Sequence, residues 1–118
     1  EWNAHRRHIA QTYQRQLPSD GPARLLHFTA DSVHHLVVAR SRRRDALREH
    51  LAQLGIQTGI HYPVPLHEQP GFLPYASWRE QPKVASAAAR EILSLPVGPH
   101  VTDAMAVYVL EGIASFPI

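Results

Sequence analysis

Apolar positions in this chain recur first at helical spacing and then in short extended runs. In EWNAHRRHIAQTYQRQL, Trp2, Ile9, Tyr13 and Leu17 fall near one face of a helix, which Pro18, Gly21 and Pro22 stop. Two β-favouring runs follow, RLLHFT and SVHHLVVAR, separated by Ala30 and Asp31, and they are expected to pair as an antiparallel hairpin. SRRRDALREHLAQLG returns to helical spacing. It places Ala46, Leu47, Leu51 and Leu54 on one stripe, with Ser41 as N-cap and Gly55 just past the C-terminus. IQTGIHY reads as a strand running into a proline-rich loop, PKVASAAAREI as an alanine-rich helix with Pro82 in its first turn, and ILSL as a short strand. Thr102 then caps DAMAVYVLEGIASF, where Met105, Val109, Ile113 and Phe116 share a face with Ala106 and Leu110 beside them.

The resulting order, α-β-β-α-β-α-β-α, predicts an α+β fold: a small antiparallel or mixed sheet with helices packed mainly on one face. A length of 118 residues with 44% hydrophobic content supports one modest core, so a single domain is expected, with residues 1–17 as a leading helix and 24–118 as the α+β unit. Helical periodicity begins at the first residues, and no Met opens the chain, so a part of something larger is expected.

Charge and cysteine content narrow the chemistry. Net charge is only +2, and the cations are almost all arginine, with Lys83 the single lysine. Without cysteine there is neither a disulfide framework nor a thiolate metal site, which fits a reducing, cytoplasmic setting. No apolar run approaches the roughly 20 residues of a membrane span, so no membrane partner is expected. The one dense basic run, RSRRR from Arg40 to Arg44, lacks the interleaved aromatics of a nucleic-acid surface. It reads either as a solvated helix entry or as an anion-binding patch.

Nine histidines invite a metal hypothesis built on His34, His35, His61 and His67. Adjacent His34 and His35 on a strand would point to opposite faces, and no acidic residue stands near His61 as a third ligand, so no metal site is expected. His35 alternatively reads as a half-buried residue beside Leu36 and Val38, and His5, His8, His50 and His100 as surface positions. Ser86 and Ser94 lack a nucleophile elbow, and no glycine-rich phosphate loop is present. No residue is assigned as catalytic.

The most informative stretch is GIQTGIHYPVPLHEQPGF, from Gly55 to Phe72. Its prolines fix backbone shape and remove amide donors, as a loop built for a purpose would need. His61 and Tyr62 leave the end of the expected strand where side chains can face a cleft, while Pro63 and Pro65 stiffen the backbone beyond them. Held this way, the imidazole and the phenol could donate to diphosphate or sugar oxygens with little loss of entropy. A structural use is the alternative, with Tyr62 in the core and His61 satisfying a backbone carbonyl. His67 either reaches the same cleft or caps the turn before Gln69.

Four motifs in order carry a resemblance. Asn3, Arg6 or Arg7, Ala10, Tyr13 and Leu17 match a helix of the form N-x-x-R-x-x-x-A-x-x-Y-x-x-x-L; His35, Leu36 and Arg40 match an H-L-x-x-x-R strand. Gly55, Ile56, Thr58, His61, Tyr62, Pro63, Pro65 and His67 match G-I-x-T-x-x-H-Y-P-x-P-x-H, and AAAREILSLPVGPHVTD completes the pattern. Together these resemble the C-terminal end of the DegT/StrS family of nucleotide-sugar aminotransferases. One departure is Gln81, where the family often has an aromatic residue before the proline matched by Pro82.

The resemblance implies the small C-terminal domain of an aspartate-aminotransferase-like (fold type I) enzyme, usually a homodimer. Such enzymes use pyridoxal phosphate to move an amino group from glutamate to a keto sugar on a nucleoside diphosphate, in polysaccharide or antibiotic sugar biosynthesis. It also implies that the Schiff-base lysine and most cofactor contacts belong to a large domain outside this chain. The expected contribution of these residues is substrate binding, by His61, Tyr62, His67 and His35. A stand-alone ferredoxin-like module holding an anionic ligand through the Arg40–Arg44 run is the competing expectation.

Overall fold

The computed structural model describes residues 1–75, 77 and 82–117; Gln81 lies outside them. Its elements are α1 (Trp2–Gln16), β1 (Arg24–Leu25), β2 (Val37–Arg40), α2 (Arg44–Gln53), α3 (Lys83–Glu91), β3 (Ile92–Leu95) and α4 (Asp103–Ala114), with single 3-10 turns at Leu66–Glu68 and Leu73–Tyr75. The expected α+β architecture is what forms: a three-stranded antiparallel sheet in the order β1-β2-β3 and four helices.

Helix ends follow local chemistry. The Thr102 side chain accepts from the Met105 amide at 3.2 Å, as the sequence predicts. Gly55 takes φ +75°, and the bonds Gly55 N–H to Ala52 C=O and Ile56 N–H to Leu51 C=O, both 2.9 Å, close a Schellman motif behind α2. Ser41 is not the cap of α2. Arg43 holds that position, and the Ser41 hydroxyl accepts instead from the Arg43 amide at 3.3 Å, before the helix begins. Pro82 stands at the N-cap of α3, one place earlier than expected.

The strands are shorter than the β-favouring runs. Arg24 pairs with Arg40 and Leu25 with Ala39, so the expected hairpin exists, but residues 26–36 form its loop. His34 breaks the second run: at φ +49° it is in the left-handed region, which an extended ladder does not admit. The expected strand IQTGIHY contracts to a single paired residue. Gly59 exchanges bonds of 3.1 and 2.7 Å with Ser94 on the edge of β3 away from β2, and Pro63 and Pro65 soon follow without amide hydrogens.

One core forms between the sheet and α1, α2 and α4. Register pairs Val37 with Leu95 and Ala39 with Leu93, and these four face Ile9, Tyr13, Leu47, Leu51, Val109 and Ile113. Fully burying a side chain of this size contributes about 1.5–3 kcal/mol. Tyr13 enters the core completely and keeps its hydroxyl bonded to the Pro96 carbonyl at 2.9 Å; burial pushes its pKa well above the ordinary phenol value, so it stays a donor. Four residues expected on apolar faces are exposed: Trp2, Ala46, Leu54 and Met105. Trp2 is exposed because the partners of α1 begin only at His5, and Met105 stands on the outer side of α4.

Three of the histidines read as surface positions join helices to their neighbours. His5 Nε2 meets the Val101 carbonyl at 2.8 Å, His8 Nε2 meets Asp103 at 2.8 Å, and His50 Nε2 meets the Gly112 carbonyl at 3.1 Å and the Ser115 hydroxyl at 3.0 Å. None of the helices is long and apolar enough to cross a membrane among the described residues.

Candidate functional site

Alternation along β3 sends Leu93 and Leu95 into the core and leaves Ser94 for the other side. There its hydroxyl lies 3.0 Å from His61 Nδ1, and its backbone is bonded on both sides to Gly59. A cleft of about 580 Å³ opens beside this group, lined in part by His35, Gly59, His61, Ser94, His100 and Tyr108. It brings together two of the expected binding residues, His61 and His35, and adds His100, which sequence reading placed on the surface without a role.

The other two expected residues stand elsewhere. Tyr62 does not line the cleft and is not in the core: it is 71% exposed, its ring edge-on to His61 with centroids 5.5 Å apart, across a cis His61–Tyr62 peptide. His61 bonds a hydroxyl and not a backbone carbonyl, so the structural alternative for this pair does not describe it. His67 is buried in the turn Leu66–Glu68, with Nε2 3.0 Å from the Ser86 hydroxyl of α3 and 3.4 Å from Glu68, whose carboxylate also accepts from Ser86. That nitrogen is engaged inside the fold, tying the proline loop to α3.

His35 is exposed, and the buried histidine of the pair is His34. The ring of His34 stands edge-on to Phe28 at 4.5 Å; burial, and secondarily the Arg7 charge, hold its pKa below the ordinary histidine value. No group of three or more metal-ligating side chains occurs among the described residues.

The arginine run is largely committed to packing. Arg40 directs Nε and Nη2 at Glu91 (3.0 and 2.6 Å). Arg43 donates to the Pro117 carbonyl at 2.7 Å and lies 4.8 Å over the Phe116 ring; Arg44 donates to Asp45 and to the Ala89 and Ile92 carbonyls. With three of its four arginines so bonded, the run offers little to a free anion.

Comparison with known proteins agrees with the motif order. The profile of the DegT/DnrJ/EryC1/StrS aminotransferase family matches residues 1–114. The chain belongs to this family. Among relatives of the DegT/DnrJ/EryC1/StrS family, the erythromycin biosynthesis sensory transduction protein EryC1 of Saccharopolyspora erythraea is 44% identical over 117 residues, 93% of this chain and 31% of its own length. The dTDP-3-amino-3,4,6-trideoxy-alpha-D-glucose transaminase of Streptomyces venezuelae is 39% identical, over 95% of this chain and 30% of its own. Among solved structures, S. venezuelae DesV in complex with a ketimine intermediate superimposes with a TM-score of 0.88 at 35% identity, covering 99% of this chain and 33% of DesV. The chain thus spans about a third of the length of the family members it matches.

The family cofactor implied by the motifs does not find its anchor here. A pyridoxal enzyme holds the cofactor on a lysine amine, and the only lysine, Lys83, is the exposed first residue of α3. These 118 residues therefore offer no buried lysine for covalent attachment.

Sequence reasoning missed Gly59 and Ser94 as parts of the site. Ser94 left one signal, a lone hydroxyl inside the apolar run ILSL, at a position that turned out buried.

Proposed function

We propose that this chain is the small domain of a pyridoxal-phosphate-dependent nucleotide-sugar aminotransferase, and that its task is to bind and orient the sugar nucleotide. The parent enzyme moves an amino group from glutamate to a keto sugar, as a cytoplasmic homodimer whose large domain carries the cofactor and the proton transfers. The observation that carries this reading is the arrangement at the end of the Gly59 bridge. There an exposed tyrosine and a hydroxyl-bonded histidine stand together on a proline-stiffened loop, within a chain whose relatives include a dTDP-sugar transaminase.

His61 and Tyr62 donate to the substrate's phosphate and sugar oxygens, and His35 adds a further donor on the cleft that His61 lines. His67 contributes from behind by holding the loop against α3. Preorganised donors of this kind lose little entropy on binding and contribute specificity more than chemistry.

In the parent enzyme, His61→Ala and Tyr62→Phe each remove one donor to a charged group, which costs about 1.5–3 kcal/mol, or roughly 10- to 150-fold in affinity. The expected result is a rise of that size in KM for the keto sugar nucleotide, with the glutamate half-reaction at its wild-type rate. Stopped-flow measurement of the two half-reactions separately checks it. Wild-type behaviour of both variants toward the keto sugar would return the loop to a structural role.

A further inference from the structure

We infer that Ser94 and Gly59 are positioning residues that lock the His61 imidazole in one orientation and one tautomer, with Nε2–H turned outward as the donor. The lock itself stands on geometry; its use in substrate binding rests on the function proposed above.

Three restraints converge on one ring. Gly59 and Ser94 are joined through both backbone groups, at 3.1 and 2.7 Å, so their relative placement is set by the sheet edge. The Ser94 hydroxyl then meets His61 Nδ1 at 3.0 Å. Finally, the ring lies against the Gly59 Cα so closely that a Cβ there would come within 2.7 Å of His61 Cε1 and 3.2 Å of Nδ1. A side chain at position 59 would push the ring out of this placement.

The tautomer follows from satisfying the serine. Ser94 is 6% exposed, and a buried hydroxyl hydrogen without an acceptor is unfavourable. Among the described residues its hydroxyl has a single partner, Nδ1 of His61. The hydroxyl therefore donates to Nδ1, and the neutral ring carries its hydrogen on Nε2, which has no partner among the described residues. An N–H pointing out of the fold is what an anionic oxygen, such as that of a nucleoside diphosphate, accepts from.

Two variants disturb the ring by independent routes. Ser94→Ala removes the hydroxyl and keeps the backbone pairing; Gly59→Ala keeps the hydroxyl and fills the space under the ring, which can swing away because it is the end of a side chain. Ser94→Thr retains the hydroxyl. Long-range ¹⁵N–¹H NMR of the chain reads the His61 tautomer directly: the Nε2–H form is expected to dominate in wild type and Ser94→Thr, and to give way to a mixture in Ser94→Ala and Gly59→Ala. In the parent enzyme, the same two alanine variants are expected to raise KM for the keto sugar nucleotide about fivefold, with the glutamate half-reaction unchanged and Ser94→Thr close to wild type. A tautomer mixture in wild type, or an unchanged Nε2–H signal in both alanine variants, would overturn the lock. A lock confirmed by NMR alongside a wild-type KM in His61→Ala would instead overturn the binding role proposed above.

Discussion

His34 and His35 are neighbours with opposite fates, and a backbone angle separates them. At φ +49° the chain turns at His34, carrying its ring under Phe28, while His35 emerges to line the cleft. Because burial first, and Arg7 second, lower the pKa of His34, it takes up a proton less readily in the fold than in the unfolded chain, where it does so near the ordinary value of about 6.5. The unfolded state then binds more protons below that pH. Stability contributed by His34 is present above pH of about 6.5 and is lost as the pH falls toward the folded value. The urea midpoint is expected to decline between about pH 7 and pH 5. His34→Asn, a residue that tolerates positive φ, should give a shallower decline; equal slopes for the two proteins would remove His34 as the cause.

At the scale of elements, α4 comes close to α2 and the turn behind it at Gly112. Gly112 lets α4 approach until a Cβ would stand 2.8 Å from Ile56 Cδ1, 3.1 Å from Leu51 Cδ2 and 3.3 Å from Leu54 Cδ1, and its carbonyl receives His50 from α2. These obstacles are ends of flexible side chains. In Gly112→Ala their displacement is offset by the gain of about 1 kcal/mol in helix propensity, and stability should stay within about 1 kcal/mol of wild type. Gly112→Val adds branched bulk with less of that compensation and should lose about 1–3 kcal/mol through overpacking. Chemical denaturation of the two variants side by side checks the ordering. A valine variant as stable as the alanine one would mean that the helices separate at little cost.

For the whole molecule, the unfinished surface lies along the proline loop. Tyr62, Val64, Leu66, Phe72, Leu73 and Tyr75 are all exposed large side chains within fourteen residues of sequence, whereas on α1 Ile9 and Tyr13 are wholly buried and only Trp2 among its large apolar residues is exposed. Exposed apolar side chains grouped this densely along the chain mark a contact region. The isolated chain is therefore expected to self-associate reversibly through this loop. Sedimentation velocity should find species larger than the 13.3 kDa monomer as concentration rises, and the double variant Leu66→Ser, Leu73→Ser should return it to monomer. A monomer at all concentrations in the unaltered chain would contradict the assignment.

The features legible in the chain alone were decided by near neighbours. The Thr102 cap, the Gly55 turn behind α2 and the apolar strand at Ile92–Leu95 depend on residues a few positions apart, where hydrogen-bond reach and periodicity act directly. Strand length and site assembly were not legible, because both depend on which distant residues the sheet brings opposite one another. The register that places Ser94 beside Gly59 also brings its hydroxyl to His61, 33 positions away, while the same ladder turns Leu93 and Leu95 into the core. A shift of one residue would exchange those faces, and local sequence preference does not distinguish the two alignments. The tertiary structure also gave His5, His8 and His50 their partners near or within α4, since a histidine on a helix surface acquires its role only when another element arrives with an acceptor.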